Sequence, residues 1–255
     1  MNSYFPSEQL SPFIKSYLII ESEGELVNRI LPGTSLVLAI RFKGKVNFLN
    51  EGNKTALPSQ VLSGLKKSVR LINYQKDSGA ILIQFKEAGA SAFFKTPLHE
   101  LFEESISLDN FISQSKISLL EEQLAEAKDH TAKIKVIEEL LLEQLYTYNE
   151  DKLVLSAVKK IHLLKGDCRI KELAETHCLS QDAFEKRFRK TIGASPKKFA
   201  SIVRMKNIIG SGLKNLSYTE MAMEAGFTDQ SHFNKDFKLF TGLTPTDFFK
   251  KPAFW

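Results

Sequence analysis

AGFTDQSHFNKDFKLFTGLTP, residues 225–245, decides how the last part of this chain is read. It sits within SYTEMAMEAGFTDQSHFNKDFKLFTGLTPTDFF (217–249), which has an upstream counterpart in RIKELAETHCLSQDAFEKRFRKTIGASPKKF (169–199). Leu173 and Ala174 match Met221 and Ala222, Cys178 matches Gly226, Leu179 matches Phe227 and Ser180 matches Thr228, all 48 residues apart. After one inserted residue the offset becomes 49, pairing Phe184 with Phe233, Phe188 with Phe237, Gly193 with Gly242, Pro196 with Pro245 and Phe199 with Phe248.

Each matched position has a physical reason. Ala174 and Ala222 are small where two helices must cross closely. Gly226 tolerates the positive φ of a tight helix-to-helix turn. Ser180 and Thr228 are N-caps that accept from orphan amides of the next helix. The Phe pairs, four residues apart, form one apolar face. Gly193 and Gly242 end those helices, and Ser195-Pro196 and Thr244-Pro245 supply the cap and first residue of the next. The pattern predicts helix, turn, helix, twice, with KKFASIVRMKNIIGSGLKN (197–215) as a long linking helix.

In such a motif the second helix enters the DNA major groove. With Phe inward, the first reading helix presents Gln181, Asp182, Glu185, Lys186 and Arg189. The second presents Asp229, Gln230, Ser231, Asn234, Lys235 and Lys238. Gln and Asn can read adenine, Lys reaches guanine or phosphate, and Glu accepts from cytosine. Lys197, Lys198, Arg204 and Lys206 on the linking helix read as phosphate contacts, which position without specifying, or equally as a solvated face. The linking helix would set the two units about one DNA turn, roughly 34 Å, apart.

Charge agrees with this division. The chain carries +5 overall, but residues 152–255 hold +9 and residues 1–151 hold −4. Only the rear is expected to face a polyanion.

The front reads differently. SYLIIE (16–21), TSLVLAIRF (34–42) and GAILIQF (79–85) are short, β-branched apolar runs separated by turn formers, as in a β-rich sandwich or barrel over 1–112. LVLAI and ILI scarcely alternate, as expected of strands covered on both faces. Over 113–150, Leu119, Leu120, Leu124 and Ala127, then Ile134, Ile137, Leu140, Leu141 and Leu145, recur at helical spacing, with Asp129 and Thr131 as breakers. This predicts a helical hairpin that is either packed on the β domain or a dimer interface or linker. The stretch 148–152 marks the start of a C-terminal domain over 151–255, opening with a helix at 153–164.

Several function classes fall away. No apolar run approaches the roughly 20 residues of a membrane span, and the first residues do not read as a secretory signal. The two cysteines, Cys168 and Cys178, have no zinc-ligand spacing and suggest neither disulfide nor metal. A cytoplasmic protein without a cofactor is expected. In the β part, Arg41, Tyr74 and Gln84 are polar groups in apolar strands and are the residues singled out for a ligand pocket.

The repeat resembles the AraC/XylS family of bacterial transcription regulators, most strongly over 225–245, with LAETHCLSQDAFEKRFRKTIGASP (173–196) fitting the companion unit. The front, through LSPFIKSYLIIE (10–21), ILPGTSLVLAIRF (30–42) and GAILIQFKEAGASAFFKTPLHELFEESISLDNFI (79–112), is similar to the cupin-like N-terminal domain of some members. The resemblance implies a transcription regulator, commonly an activator, that binds promoter DNA, recruits RNA polymerase and responds to a small-molecule effector, with homodimerisation open. It departs from the family at Cys178, where glycine is frequent, and at the acidic Asp182 and Glu185. Cupin metal sites cluster His and Glu, whereas His99 is the one histidine in 1–112, so no metal is expected. An enzyme addressed to DNA, as in some repair alkyltransferases, is the contrasting class. Both cysteines lie in the helical part, however, and the front shows no nucleophile–base set. A β domain that docks a protein partner is the third reading.

Overall fold

The computed structural model describes residues 2–50, 52–146, 150–210, 217–224, 226–227 and 229–250. Its strands are β1 (Asn2–Tyr4), β2 (Ile14–Ser22), β3 (Leu26–Ile30), β4 (Val37–Lys43), β5 (Val46–Asn50), β6 (Asn53–Ala56), β7 (Gln60–Ser63), β8 (Arg70–Tyr74), β9 (Ser78–Phe85) and β10 (Ser105–Ser107). They pair antiparallel into two sheets, a larger one ordered β1-β2-β9-β4-β7-β10 and a smaller one ordered β3-β8-β5-β6. Among the described residues strand pairing does not join the sheets, so the N-terminal domain is an open sandwich and not the sealed barrel of the cupin-like expectation.

Period-2 alternation explains why the larger sheet carries apolar residues on both faces. Tyr17, Ile19, Leu38, Ile40, Ile81, Ile83 and Phe85 point to one side and enter the main core. That side is covered by α1 (Gln114–Glu126) and α2 (His130–Gln144) through Ile117, Leu120, Leu124, Ile134, Ile137 and Leu141. The opposite side meets the smaller sheet only in part, where Ile20 and Ala80 pack with Val46, Ile72 and Tyr74. Elsewhere on that face Leu18, Val37, Ala39, Leu82 and Gln84 stay partly accessible.

The hairpin breaks where Asp129 caps α2 by accepting from the Ala132 amide at 2.8 Å. Thr131 does not break it but lies inside α2. Glu138 of α2 accepts from the Tyr17 hydroxyl at 3.0 Å and the Ser7 amide at 2.8 Å, which fixes the helix against β2 and the start of the chain. The buried part of the hairpin's apolar stripe is therefore occupied by its own sheet. Leu119, counted in the same stripe, faces solvent.

Behind the hairpin follow α3 (Lys152–Leu163), α4 (Ile170–Thr176), α5 (Gln181–Ile192), α6 (Pro196–Gly210), α7 (Tyr218–Glu224), α8 (Gln230–Thr241) and α9 (Pro245–Lys250). No helix among the described residues is long and apolar enough to cross a membrane. The expected continuation of the linking helix through residue 215, the cap Thr228 and boundary residues 148 and 149 lie outside the described residues. The sequence length allows each domain its own core, yet the main buried cluster runs continuously from the larger sheet through α3, α5, α6 and α8. Leu98 and Leu101, on a helical turn of the β domain, make the bridge by packing against α5 and its terminal Gly193.

Candidate DNA interface

Two structurally matching units stand out, α4-α5 and α7-α8. Phe184, Phe188, Phe233 and Phe237 are each 0% exposed, so the i, i+4 stripes form the floor of both units. Burying each such ring contributes about 2–3 kcal/mol. Ring contacts at 5.8 Å within the first pair and 5.5 Å within the second add shape-specific packing. Both long helices end at glycines in the left-handed region, Gly193 at φ 93° and Gly242 at φ 76°. Ser195 and Thr244 cap the helices that follow, accepting from the amides of Lys198 and Asp247.

The turns are equivalent as well. Cys178 at φ 54° occupies the same left-handed conformation as Gly226 at φ 71°. Ser180 caps α5 through the Ala183 amide, but the cap of α8 is Asp229, whose carboxylate accepts from the His232 amide at 2.7 Å. The expected pairing of Ser180 with Thr228 is thereby corrected. Ser180 corresponds to Asp229, and the inserted residue falls before the cap. Both Thr228 and Asp229 are good caps, so sequence alone placed the insertion on the wrong side.

The outward residues lie where the helical period puts them. Gln181, Asp182, Lys186 and Arg189 are exposed on α5, with Glu185 half-buried. Gln181 Nε2 donates to Glu185 Oε1 at 2.8 Å, so part of this face is bonded to itself. On α8, Gln230, Ser231, Asn234, Lys235 and Lys238 are all exposed. Gln230, Asn234, Lys235 and Lys238 also line a groove of about 470 Å³ with Tyr218, Thr244, Pro245 and Thr246. The groove gathers two ammonium groups, two amides and hydroxyls from three consecutive helices.

The four cations assigned to the linking helix separate. Lys197 is exposed. Lys198 faces the β domain; desolvation lowers its pKa despite the attraction of Asp236 and Glu103. Lys206 also turns toward the β domain, where desolvation and then the Lys15 ammonium lower its pKa against the pull of Glu87. Lys198 is half-buried there, whereas Lys206 remains exposed. Arg204 is a brace: its guanidinium donates to the carbonyls of Gly166 at 3.2 Å and Gly226 at 3.4 Å and pairs with Asp167 at 3.5 Å. It also lies 5.5 Å from the centre of the Phe227 ring. One side chain from α6 thus ties the α3-α4 turn to the turn of the second unit.

Further contacts, unmarked in the sequence, hold the units to the rest. Arg187 of α5 pairs with Asp151 at 2.6 Å while Asp151 also caps α3. Glu87, at the end of β9, accepts from His162 of α3 at 3.3 Å and from Thr34 at 2.8 Å. Burial opposes its charge, but these hydrogen bonds outweigh burial and hold the Glu87 carboxyl at about 2. Such pairs join residues far apart in sequence and carry no local pattern.

Arg41, Tyr74 and Gln84 are not all gathered at one place. Arg41 donates to the Gly44 carbonyl and the Ser59 hydroxyl, and Gln84 accepts from Ser16. Tyr74 is 2% exposed in the small core between the sheets, and burial pushes its hydroxyl up to about 12. Arg41 and Gln84 sit at opposite ends of the β4-β9 ladder, opposite Ala80 and Val37 respectively. Polar residues in strands were the only signal, and here local hydrogen bonding explains each of the first two. No group of three metal-ligating side chains occurs among the described residues.

A family of helix-turn-helix domains matches residues 173–251, the span of both units. The C-terminal domain is an AraC-type helix-turn-helix domain. Ahead of this AraC-type domain, residues 2–107 match a family described as a domain of unknown function. The chain is 31% identical over 157 residues to the Msm operon regulatory protein of Streptococcus mutans, covering 60% of this chain and 56% of that protein. It is 28% identical over 117 residues to an uncharacterized HTH-type transcriptional regulator of Haemophilus influenzae, covering 45% of this chain and 39% of that one. The chain therefore spans about half the length, or less, of these curated relatives. ToxT from Vibrio cholerae aligns over 91% of this chain and 96% of its own, at 12% identity and a TM-score of 0.43, too distant to add to the fold described above.

Proposed function

We propose that this protein is a sequence-specific DNA-binding transcription regulator whose β domain responds to a small molecule. One observation carries the reading: two capped helix-turn-helix units on one chain, each turning an exposed polar helix face outward from a phenylalanine floor. Gln181, Asp182, Glu185, Lys186 and Arg189 read bases or border them in one major groove. Gln230, Ser231, Asn234, Lys235 and Lys238 do so in the next, with Lys197 and Lys206 on phosphate. The second unit supplies most of the affinity, and the acidic first unit supplies selectivity by rejecting wrong bases. RNA polymerase is the partner at the promoter, and the compartment is the cytoplasm.

The domain division that serves this reading is 1–112 for sensing, 113–150 for the hairpin and 151–255 for DNA. The test is genomic selection of bound DNA fragments with the full chain at moderate salt. Enrichment of a discrete motif is expected. Binding that shows no preference over random DNA and falls steeply with salt ends the proposal.

A further inference from the structure

Gln181 and Gln230 open α5 and α8 at equivalent places, 49 residues apart, and both are exposed. Their amides are nevertheless held in opposite senses. Gln230 Oε1 accepts from the Thr219 hydroxyl of α7 at 3.2 Å, so Nε2, a donor, is the end left for a partner. Gln181 Nε2 donates to Glu185 at 2.8 Å, so Oε1, an acceptor, is the end left there. A side-chain amide carries donor and acceptor on two sides of one rigid plane, and engaging one aims the other.

The difference has a source in the repeat. The residue matching Thr219 in α4 is Lys171, 48 positions earlier, whose ammonium lies 3.9 Å from Glu175 on its own helix. The residue matching Glu175 in α7 is the apolar Met223, and the one matching Glu185 in α8 is Asn234. The second unit thus has uncharged side chains in both places, and Gln230 turns to Thr219. The surroundings extend the contrast. Lys235 and Lys238, which only donate, line one groove with Gln230. Nearest Gln181 on its face stand the carboxylates of Asp182 and Glu185, which only accept, with Lys186 and Arg189 further along α5.

In the major groove guanine shows two acceptors side by side, N7 and O6, and cytosine shows the N4 donor alone. Adenine shows an acceptor beside a donor, so its bidentate reading needs both ends of a glutamine amide. In each unit one end is already bonded. A donor backed by ammonium groups fits guanine. An acceptor flanked by carboxylates fits cytosine and is repelled by the N7 of adenine.

We propose that the two equivalent glutamines read opposite bases: Gln230, positioned by Thr219, donates to guanine, and Gln181, positioned by Glu185, accepts from cytosine. This assignment rests on the reading of both units as DNA-binding and supplies the base chemistry of each. Thr219 is a positioning residue that acts through Gln230.

Selection from random double-stranded DNA with the full chain, read by sequencing, tests the assignment. The unsubstituted chain should select a motif containing a guanine whose preference is lost in Gln230→Ala and a cytosine whose preference is lost in Gln181→Ala. Thr219→Val should lower the guanine-to-adenine ratio at the first of these positions about fivefold, the worth of one neutral hydrogen bond. The rest of the motif and the unfolding temperature should stay as they are, and Thr219→Ser, which keeps the hydroxyl, should keep the ratio. One substitution should act oppositely in the two units. Gln230→Glu loses the donor and should lower guanine at its position at least about tenfold, whereas Gln181→Glu keeps the acceptor and should keep cytosine. An unchanged ratio in Thr219→Val, adenine at either position, or Glu variants that act alike overturns the assignment and leaves the regulator reading standing. Absence of any motif from the unsubstituted chain removes the regulator reading and this assignment with it.

Discussion

Arg29 of β3 donates through Nη1 to the carbonyl oxygen of Thr241 at 2.9 Å, joining residues 212 positions apart. The acceptor is at the C-terminal end of α8, where unpaired carbonyls carry the negative end of the helix dipole. Arg29→Ala is therefore expected to destabilise the chain by about 1–2 kcal/mol. It should also accelerate amide exchange around Gly242, while Asn234 and Lys235 stay in place. Unchanged exchange there would show that the contact holds nothing.

Arg204 distinguishes a brace from a phosphate contact. As a brace, Arg204→Ala should cost about 2–3 kcal/mol in thermal or denaturant unfolding without DNA, because the carbonyls of Gly166 and Gly226 lose their charged donor. Lys at this position should recover little, since it lacks the planar fork. A variant that unfolds normally but loses about one unit of salt slope in DNA binding would restore the phosphate role.

On the second unit, Asn234→Ala or Lys235→Ala should weaken specific binding by about 1–3 kcal/mol, read as a Kd ratio between motif and random DNA. An unchanged ratio in both would place α8 off the groove.

On the first unit, replacing Asp182 and Glu185 by Ala should raise affinity for random DNA, since two carboxylates leave a face that approaches phosphates. Loss of Glu185 also releases Gln181 from its 2.8 Å hydrogen bond. A fall in non-specific affinity would reverse the selectivity role assigned to this unit.

Cys178 holds a left-handed conformation that costs a side-chain-bearing residue about 1 kcal/mol. Cys178→Gly should stabilise the domain by about 0.5–1 kcal/mol, measured by denaturant midpoint, as the turn of the second unit already does with Gly226. Destabilisation would mean that the exposed thiol packs better than its surroundings suggest.

Glu87 ties β9 to α3, and its carboxyl is held at about 2 against an ordinary 4.5. A depressed carboxylate contributes stability that is present above the ordinary value and lost as pH falls toward 2, here about 2–3 kcal/mol. Acid unfolding midpoints should show this loss between about pH 4.5 and 2, and Glu87→Gln should flatten it. An identical acid profile in the variant would remove the link between the two domains from the account.

The sequence by itself determined the two helix-turn-helix units, because their signals are local: Phe at i, i+4, glycines after the last turn, and Ser-Pro or Thr-Pro at the next start. Hydrogen bonds and caps that close within a few residues leave their pattern in adjacent letters. The β runs and the hairpin were legible for the same reason, through periods of 2 and 3.6. Only the tertiary structure decided what surrounds each cation of α6. Lys198, Arg204 and Lys206 look alike along α6, but their fates depend on Glu103, Gly226 and Glu87, contributed by other segments. It also decided that Arg41 and Gln84 are locally hydrogen-bonded. Charge and polarity are properties of a residue, whereas desolvation and partnership belong to the space the fold builds around it.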